Sequence, residues 1–155
     1  MTAPALALPW ADRTDGHCFG CSPANPVGLG LTFVPDGDGI SAAFCLDRRY
    51  ESYPGVLHGG IVALICDEVM GNLVVLRHGR PAVTTSMRMR YVGVIGIGGH
   101  HSCHATVDGT GPYSGRAEIR DAHGAVLATA TASYVPVPAD GAGLPITPRE
   151  DRPWP

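Results

Sequence analysis

Lysine is absent: all 11 basic residues of the 155-residue chain are arginine. Schiff-base chemistry and any mechanism that needs a phosphate-loop lysine are thereby excluded. Charge is scarce too, with 16% charged residues against 45% hydrophobic ones. Such a chain can bury a sizeable core in one domain but leaves a surface poor in charge. Part of its apolar surface is therefore expected to be covered by another subunit of a homo-oligomer. There is no basic block either: the net charge is -3 and the arginines are scattered. That distribution carries no electrostatic footprint for nucleic acid or for an anionic membrane. Met1 to Trp10 lacks the basic and long apolar regions of a secretory signal, so a cytoplasmic location is expected. The five cysteines are odd in number and follow no small-scaffold spacing, which favours reduced thiols. The most apolar run, Ile61 to Leu76, is shorter than the ~20 residues of a membrane span. It also carries Asp67 and Glu68 in its middle, and reads as a buried helix of a globular domain.

What is present is punctuated clearly. Residues 1–28 are rich in Pro, Gly and Asp without a sustained period, an irregular lead-in. Leu29 to Val34 and Ile40 to Leu46 are β-type runs joined by Pro35-Asp36-Gly37-Asp38-Gly39, a hairpin signal. After a polar connection from Tyr50 to Leu57, His58-Gly59-Gly60 opens the apolar helix. Its end is marked by Arg77 and His78 at the negative dipole end, Gly79 as a left-handed cap and Pro81 as a stop. From Ala82 to Val94 residues alternate, placing Val83, Thr85, Met87, Met89 and Tyr91 on one face and Thr84, Ser86, Arg88 and Arg90 on the other. Further strands are expected near 99–107, 113–121 and 125–135, the last two joined at Asp121-Ala122-His123-Gly124. Residues 137–155 form a Pro/Gly-rich tail. The order is α+β: one long helix packed on a strongly curved antiparallel sheet over residues 29–136, with an uncovered sheet edge or face that points to dimerisation.

Asp67 stands out chemically, because an ionised carboxylate in an apolar setting costs several kcal/mol unless partnered, and such groups cluster at functional sites. The plain alternative is that Asp67 and Glu68 face solvent or form a salt bridge. As neighbours they lie roughly 100° apart around a helix, so at least one is displaced from a narrow exposed stripe. His58-Gly59-Gly60 places backbone N–H groups at the positive end of the helix with no Cβ to block a carbonyl's approach, the chemistry of an oxyanion hole. A tight turn with a locally satisfied His58 is the alternative reading.

His58-Gly59-Gly60 followed by a carboxylate nine residues after the His resembles the hotdog-fold acyl-CoA thioesterases of the phenylacetate-pathway type, related to one group of 4-hydroxybenzoyl-CoA thioesterases. The likeness extends to Cys18-Phe19-Gly20-Cys21, Asn25-Pro26-Val27-Gly28-Leu29, Tyr53-Pro54-Gly55-Val56-Leu57, Arg120-Asp121-Ala122-His123-Gly124 and Leu127-Ala128-Thr129-Ala130, and spans roughly residues 17–136. It implies a sheet wrapped around the helix, with a homodimer as the minimal unit and a tetramer as a further possibility. Asp67 matches the catalytic carboxylate, a general base on water or a nucleophile. Gly59 matches the N–H that polarises the thioester carbonyl, with Gly60 beside it, and His58 matches a support for that carbonyl or the leaving thiolate. Thr84 falls where related enzymes hold the water or the carboxylate with a hydroxyl. Members often carry Asn or Gln six or seven residues before the His, where this chain has Ser52 and Glu51; Ser52 or Tyr53 is then the substitute hydrogen-bonding group. Glu68 is counted with the substrate-binding residues. Arg88 and Arg90, with Arg80, are candidates for coenzyme A phosphates. The chemistry needs activated water and a stabilised oxyanion, and no metal or other cofactor.

His17, Cys18 and Cys21 make a compact possible metal corner, but a lone C-x-x-C lacks the second pair of a structural zinc site, and no metal is expected. His100, Ser102 and His104 fall on one strand face and read as a polar or dimer-contact surface. Cys45, Cys66 and Cys103 read as small buried side chains. The expected activity is hydrolysis of an acyl-CoA or acyl-carrier thioester. A dehydratase- or isomerase-like proton transfer on the same fold and a non-catalytic acyl-thioester-binding protein are the rivals.

Overall fold

The computed structural model describes residues 3–12 and 15–137, so the tail expected over 137–155 lies outside the described residues but for Val137. Six strands and one long helix follow each other as β1 (Val34–Asp36), β2 (Gly39–Phe44), α1 (Gly59–His78), β3 (Ala82–Tyr91), β4 (His101–Asp108), β5 (Tyr113–Asp121) and β6 (Val126–Pro136), with a short 3₁₀ turn at Arg48–Tyr50. The strands make one antiparallel sheet in the order β1-β2-β4-β5-β6-β3. The helix packs on this sheet against β2 to β6, which is the expected α+β layout.

The first hairpin is tighter than its composition suggests. Pro35 and Asp36 pair with Ile40 and Gly39, so only two residues turn the chain. Proline is admissible there because β1 is an edge strand. Of the strand expected over Leu29 to Val34, only Val34 belongs to the sheet. The N–H groups of Leu29 and Leu31 instead reach back to the carbonyls of Phe19 and Gly20 (2.7 and 2.9 Å), while Leu31 and Phe33 point into the core. The N-terminal segment is thereby fastened to the domain: Leu6 N–H donates to Phe33 O at 2.7 Å.

Helix α1 runs two residues beyond the apolar stretch at each end. His58 caps its start, and Gly79 ends it at φ 67°, a conformation that favours glycine, donating to Val75 O at 2.8 Å. At 20 residues and high hydropathy it is long and apolar enough to cross a membrane by length and composition, but Val62, Ile65, Cys66, Val69, Met70, Leu73 and Val74 are buried in the domain core. Small residues on the facing strands, Ala105, Ala117, Ala128 and Ala130, let the helix approach closely. At Gly115 of β5 the approach leaves no room for a side chain: a Cβ would lie 2.8 Å from Met70 Sδ and 3.1 Å from its Cβ and Cγ.

Strand β3 departs from the expected alternation. Its register with β6 shifts between Thr84 and Ser86, a bulge that inserts one residue and reverses the side-chain faces. Met87 and Met89 then pack on the core as expected, while Thr84, before the bulge, turns towards α1 instead of sharing the outer face of Arg88 and Arg90. The strand ends at Tyr91 because the N–H groups of Val92 and Gly93 both turn to Leu127 O (2.9 Å each). On β4, Cys103, Ala105 and Val107 face inward and leave Ser102 and His104 on the outer face, whereas His100 precedes the strand. Cys66 and Cys103 are buried as expected, but Cys45 is exposed just past the end of β2. All five thiols are free.

Candidate active site

At the start of α1, His58 holds an extended backbone (φ -61°, ψ 131°), and its Nδ1 accepts the Gly60 N–H at 2.9 Å. An accepting Nδ1 leaves the ring proton of the neutral imidazole on Nε2, which can donate to a ligand. The N–H groups of Ile61 and Val62 also go to His58, through its carbonyl at 2.9 and 3.1 Å. Gly59 is thus the residue of the first turn whose N–H has no acceptor among the described residues. Its carbonyl is held by the Tyr91 hydroxyl at 2.8 Å. This end of the helix borders a cavity of about 620 Å³ that His58, Gly60, Glu51, Tyr50, Phe19 and Val27 help to line.

Two turns further on, Asp67 lies half-buried. Its Oδ1 accepts two hydroxyl hydrogen bonds, from Thr84 at 2.7 Å and from Tyr134 at 2.8 Å. Tyr134 is 1% exposed, and burial, reinforced by the neighbouring Asp67 carboxylate, pushes its hydroxyl well above the ordinary phenol range. It therefore remains a neutral donor. Asp67, Thr84 and Tyr134 form part of the wall of a second, largely apolar cavity of about 670 Å³ that Leu6, Leu8, Trp10, Leu31 and Phe33 also line. A carboxylate with one oxygen pinned by two hydroxyls, at the edge of an apolar chamber, is positioned to take a proton from water or to attack a carbonyl carbon.

Glu68, the other carboxylate, points towards the N-terminal segment. Its Oε1 accepts from the side chain of buried Asn72 at 2.8 Å and from the Cys18 thiol at 3.3 Å. One ligand atom each from Cys18, Cys21 and Glu68 lie within 4.8 Å of one another, and His17 is not among them. Hydrogen bonding between the two thiols pushes Cys18 down to about 7 and Cys21 up, with burial and Glu68 opposing the first shift and adding to the second.

The remaining predicted site residues stand apart. Ser52 is exposed in a turn, its N–H and Oγ both donating to Val56 O (2.8 and 3.3 Å), and Tyr53 is 78% exposed beside it. Neither lines either of these two cavities, whereas Glu51, which also accepts the Gly55 N–H at 2.5 Å, lines the one beside His58. Arg88 and Arg90 are exposed on β3 and outside both cavities. The structure thus groups Asp67 with Thr84, and His58 with Gly59 and Gly60, in two places. Sequence reasoning missed Tyr134 and Tyr91. The available signal for Tyr134 was a lone large aromatic with a polar tip in a strand otherwise built of Ala, Thr and Ser.

No protein-family model matches the chain, and no curated protein does. Solved structures do. A thioesterase superfamily protein aligns with a TM-score of 0.70 at 22% identity, over 86% of this chain and 69% of that one. The Escherichia coli PaaI protein from the phenylacetic acid degradation operon aligns at 0.65 and 15% identity, over 71% and 81%. A Streptococcus mutans protein bound to acetyl-CoA aligns at 0.62 and 20% identity, over 68% and 87%.

Proposed function

The chain has the hotdog fold of thioesterase superfamily structures, and from that premise we propose that it hydrolyses an acyl thioester, acyl-CoA or acyl-carrier, with Asp67 as the catalytic carboxylate. The observation that carries the reading is the Asp67 carboxylate fixed by Thr84 and Tyr134 at the wall of an apolar cavity. The acyl group occupies that cavity, whose volume is typical of small-molecule sites. Asp67 takes a proton from water as its oxygen bonds to the thioester carbon. Collapse of the oxyanion then breaks the C–S bond, and the thiolate leaves with a proton. The oxyanion is stabilised by the Gly59 N–H at the positive end of α1, with His58 Nε2–H beside it.

One chain does not supply both halves. Gly59 and Asp67 are eight residues apart on one helix, a separation of ~12 Å along its axis, whereas attack needs about 3–3.5 Å. A two-fold dimer with antiparallel helices sets the Gly59 of one subunit beside the Asp67 of the other and makes two identical sites. Strand β3 favours such a dimer: it is ten residues long and lies at a sheet edge, and a long open edge invites a partner strand. Tyr91, Val92 and Val94 at its end are 54%, 59% and 68% exposed, apolar surface for the partner to cover.

The test is a panel of short, medium and aryl acyl-CoAs with a thiol reagent. Thiol release is expected, falling ~10²- to 10⁴-fold in Asp67→Ala. No release above that variant would sink the reading. Ester binding unchanged in Asp67→Asn with no turnover by any form would make the chain a binding protein, and double-bond migration without thiol release would make it a proton-transfer enzyme.

A further inference from the structure

The Cys18-Phe19-Gly20-Cys21 loop has no task in the hydrolysis above, yet it is built with more support than a cavity wall needs. Ser22 N–H donates to Cys18 O at 3.1 Å, closing a turn that brings the two thiols together. The carbonyls of Phe19 and Gly20 are tied to Leu29 and Leu31, and the Tyr50 hydroxyl holds those of Val27 and Gly28 at 3.1 and 2.9 Å. Gly20 lies directly on the Glu68 side chain, where a Cβ would fall 2.4 Å from Glu68 Cδ. Asn72, buried on the next turn of α1, donates to both the carbonyl and Oε1 of Glu68 at 2.8 Å, fixing its carboxylate towards the loop.

The product is a cluster of two sulfurs and one carboxylate oxygen within 4.8 Å of one another. With its proton in place the Cys18 thiol donates to Glu68 Oε1 at 3.3 Å; once the thiols ionise the three groups repel unless a cation sits between them. Zinc bonds of ~2.3 Å to sulfur and ~2.0–2.2 Å to oxygen put tetrahedral ligand atoms within about 4 Å of each other, so side-chain shifts of under an ångström close this 4.8 Å cluster onto one ion. Thiolates select soft or borderline cations over magnesium or calcium, and the Asn72 contact matches the outer hydrogen bond that ligating carboxylates commonly accept.

We propose that Cys18, Cys21 and Glu68 bind one thiophilic divalent cation of the zinc class, with the fourth position open to the neighbouring cavity. Binding forms two metal–sulfur bonds and one metal–oxygen bond and releases the thiol protons to solvent, with no change of oxidation state. The cation ties the N-terminal wall of the cavity to the helix that carries Asp67. One of the two ligands that a lone C-x-x-C lacks is thus supplied from α1, and the site stands whatever reaction the cavity serves.

The probe is cobalt(II) alone, titrated into the full chain after chelator treatment and reduction by a phosphine. One cobalt per chain is expected, with thiolate-to-metal charge-transfer absorption and the intense visible bands of a four-coordinate ion, both abolished by one equivalent of zinc. Cys18→Ser with Cys21→Ser should remove the charge-transfer absorption, and Glu68→Gln should keep it but weaken binding at least ~10-fold. Where a variant fails to fold by circular dichroism, alkylation of the wild-type protein decides: zinc should slow modification of Cys18 at least ~10-fold and leave that of exposed Cys45 unchanged. Failure of the reduced wild-type protein to bind cobalt, a charge-transfer band that survives the double substitution, or equal alkylation of Cys18 with and without zinc would overturn the site.

Discussion

At the scale of single residues, the site turns on which hydroxyls reach one carboxylate oxygen. A hydrogen bond to a charged group is worth about 1.5–3 kcal/mol. Tyr134→Phe removes one from Asp67 Oδ1 while keeping the buried ring, so kcat should fall ~10- to 100-fold with KM little changed. Thr84→Val should act in the same direction. Steady-state kinetics on both checks this, and a loss confined to KM would mean that the hydroxyls serve binding. Tyr134 also carries a pH signature. Its raised folded pKa favours the neutral phenol, so that contribution to stability is complete below the ordinary phenol pKa of about 10 and declines as pH rises above it. A spectrophotometric titration of the folded protein should count the same number of phenols ionising around pH 10 in the wild type and in Tyr134→Phe, and a count lower by one in the variant would contradict it. Asp67 was legible in the sequence because a carboxylate inside an apolar run has few innocent explanations. Tyr134 was not, since nothing in a strand of small residues says which helical position its hydroxyl will meet. Thr84 was named through the family resemblance, but strict alternation put it on the wrong face, and only the bulge turns it towards Asp67.

At the scale of elements, α1 sits where it does because β5 yields at Gly115. Gly115→Ala forces Met70 or the helix to move and should lower stability by ~1–3 kcal/mol. Urea melts of Gly115→Ala, Met70→Ala and the double variant should give a cost for the pair smaller than the sum, because the cavity left by Met70 accepts the new methyl. Strict additivity would place the strain elsewhere. The β5–β6 turn has an acid limb of its own. Asp121 accepts the N–H groups of Ala125 and His123 (both 2.9 Å), and these hold its carboxyl below the usual range. That contribution is present above about pH 4 and is lost as pH falls through the depressed folded value. Asp121→Asn should flatten this part of the acid-unfolding profile, and an unchanged profile would show that the turn does not sense pH. Elements were the most legible level. The helix and the last four strands announce themselves through apolar runs, alternation and Gly or Pro punctuation, and β5 falls at residues 113–121 as expected. The lead-in was less legible because its backbone hydrogen bonds close on the Cys18–Cys21 loop, a partner distant in sequence from Leu29 and Leu31. The meeting of that loop with Glu68 depends on how α1 packs and leaves no local trace.

At the scale of the whole molecule, the Gly59 N–H and the Asp67 carboxylate lie in different places on one chain, and in the proposed reaction a dimer brings them together. Subunit exchange between two inactive variants tests this most directly. Asp67→Ala keeps the Gly59 N–H, and Gly59→Pro keeps Asp67. The proline is admissible at the first helical position, where the preceding His58 is already extended and a new Cβ meets nothing closer than the Tyr91 ring at 3.6 Å. In a mixed dimer one site pairs the intact Gly59 of one subunit with the intact Asp67 of the other, while the second site is doubly defective. Statistical exchange makes half the dimers mixed, each with one working site, so thioester hydrolysis should recover to about a quarter of the wild-type rate. Mixtures that stay as inactive as their parents, with mixed dimers proven by mass spectrometry, would contradict the shared site.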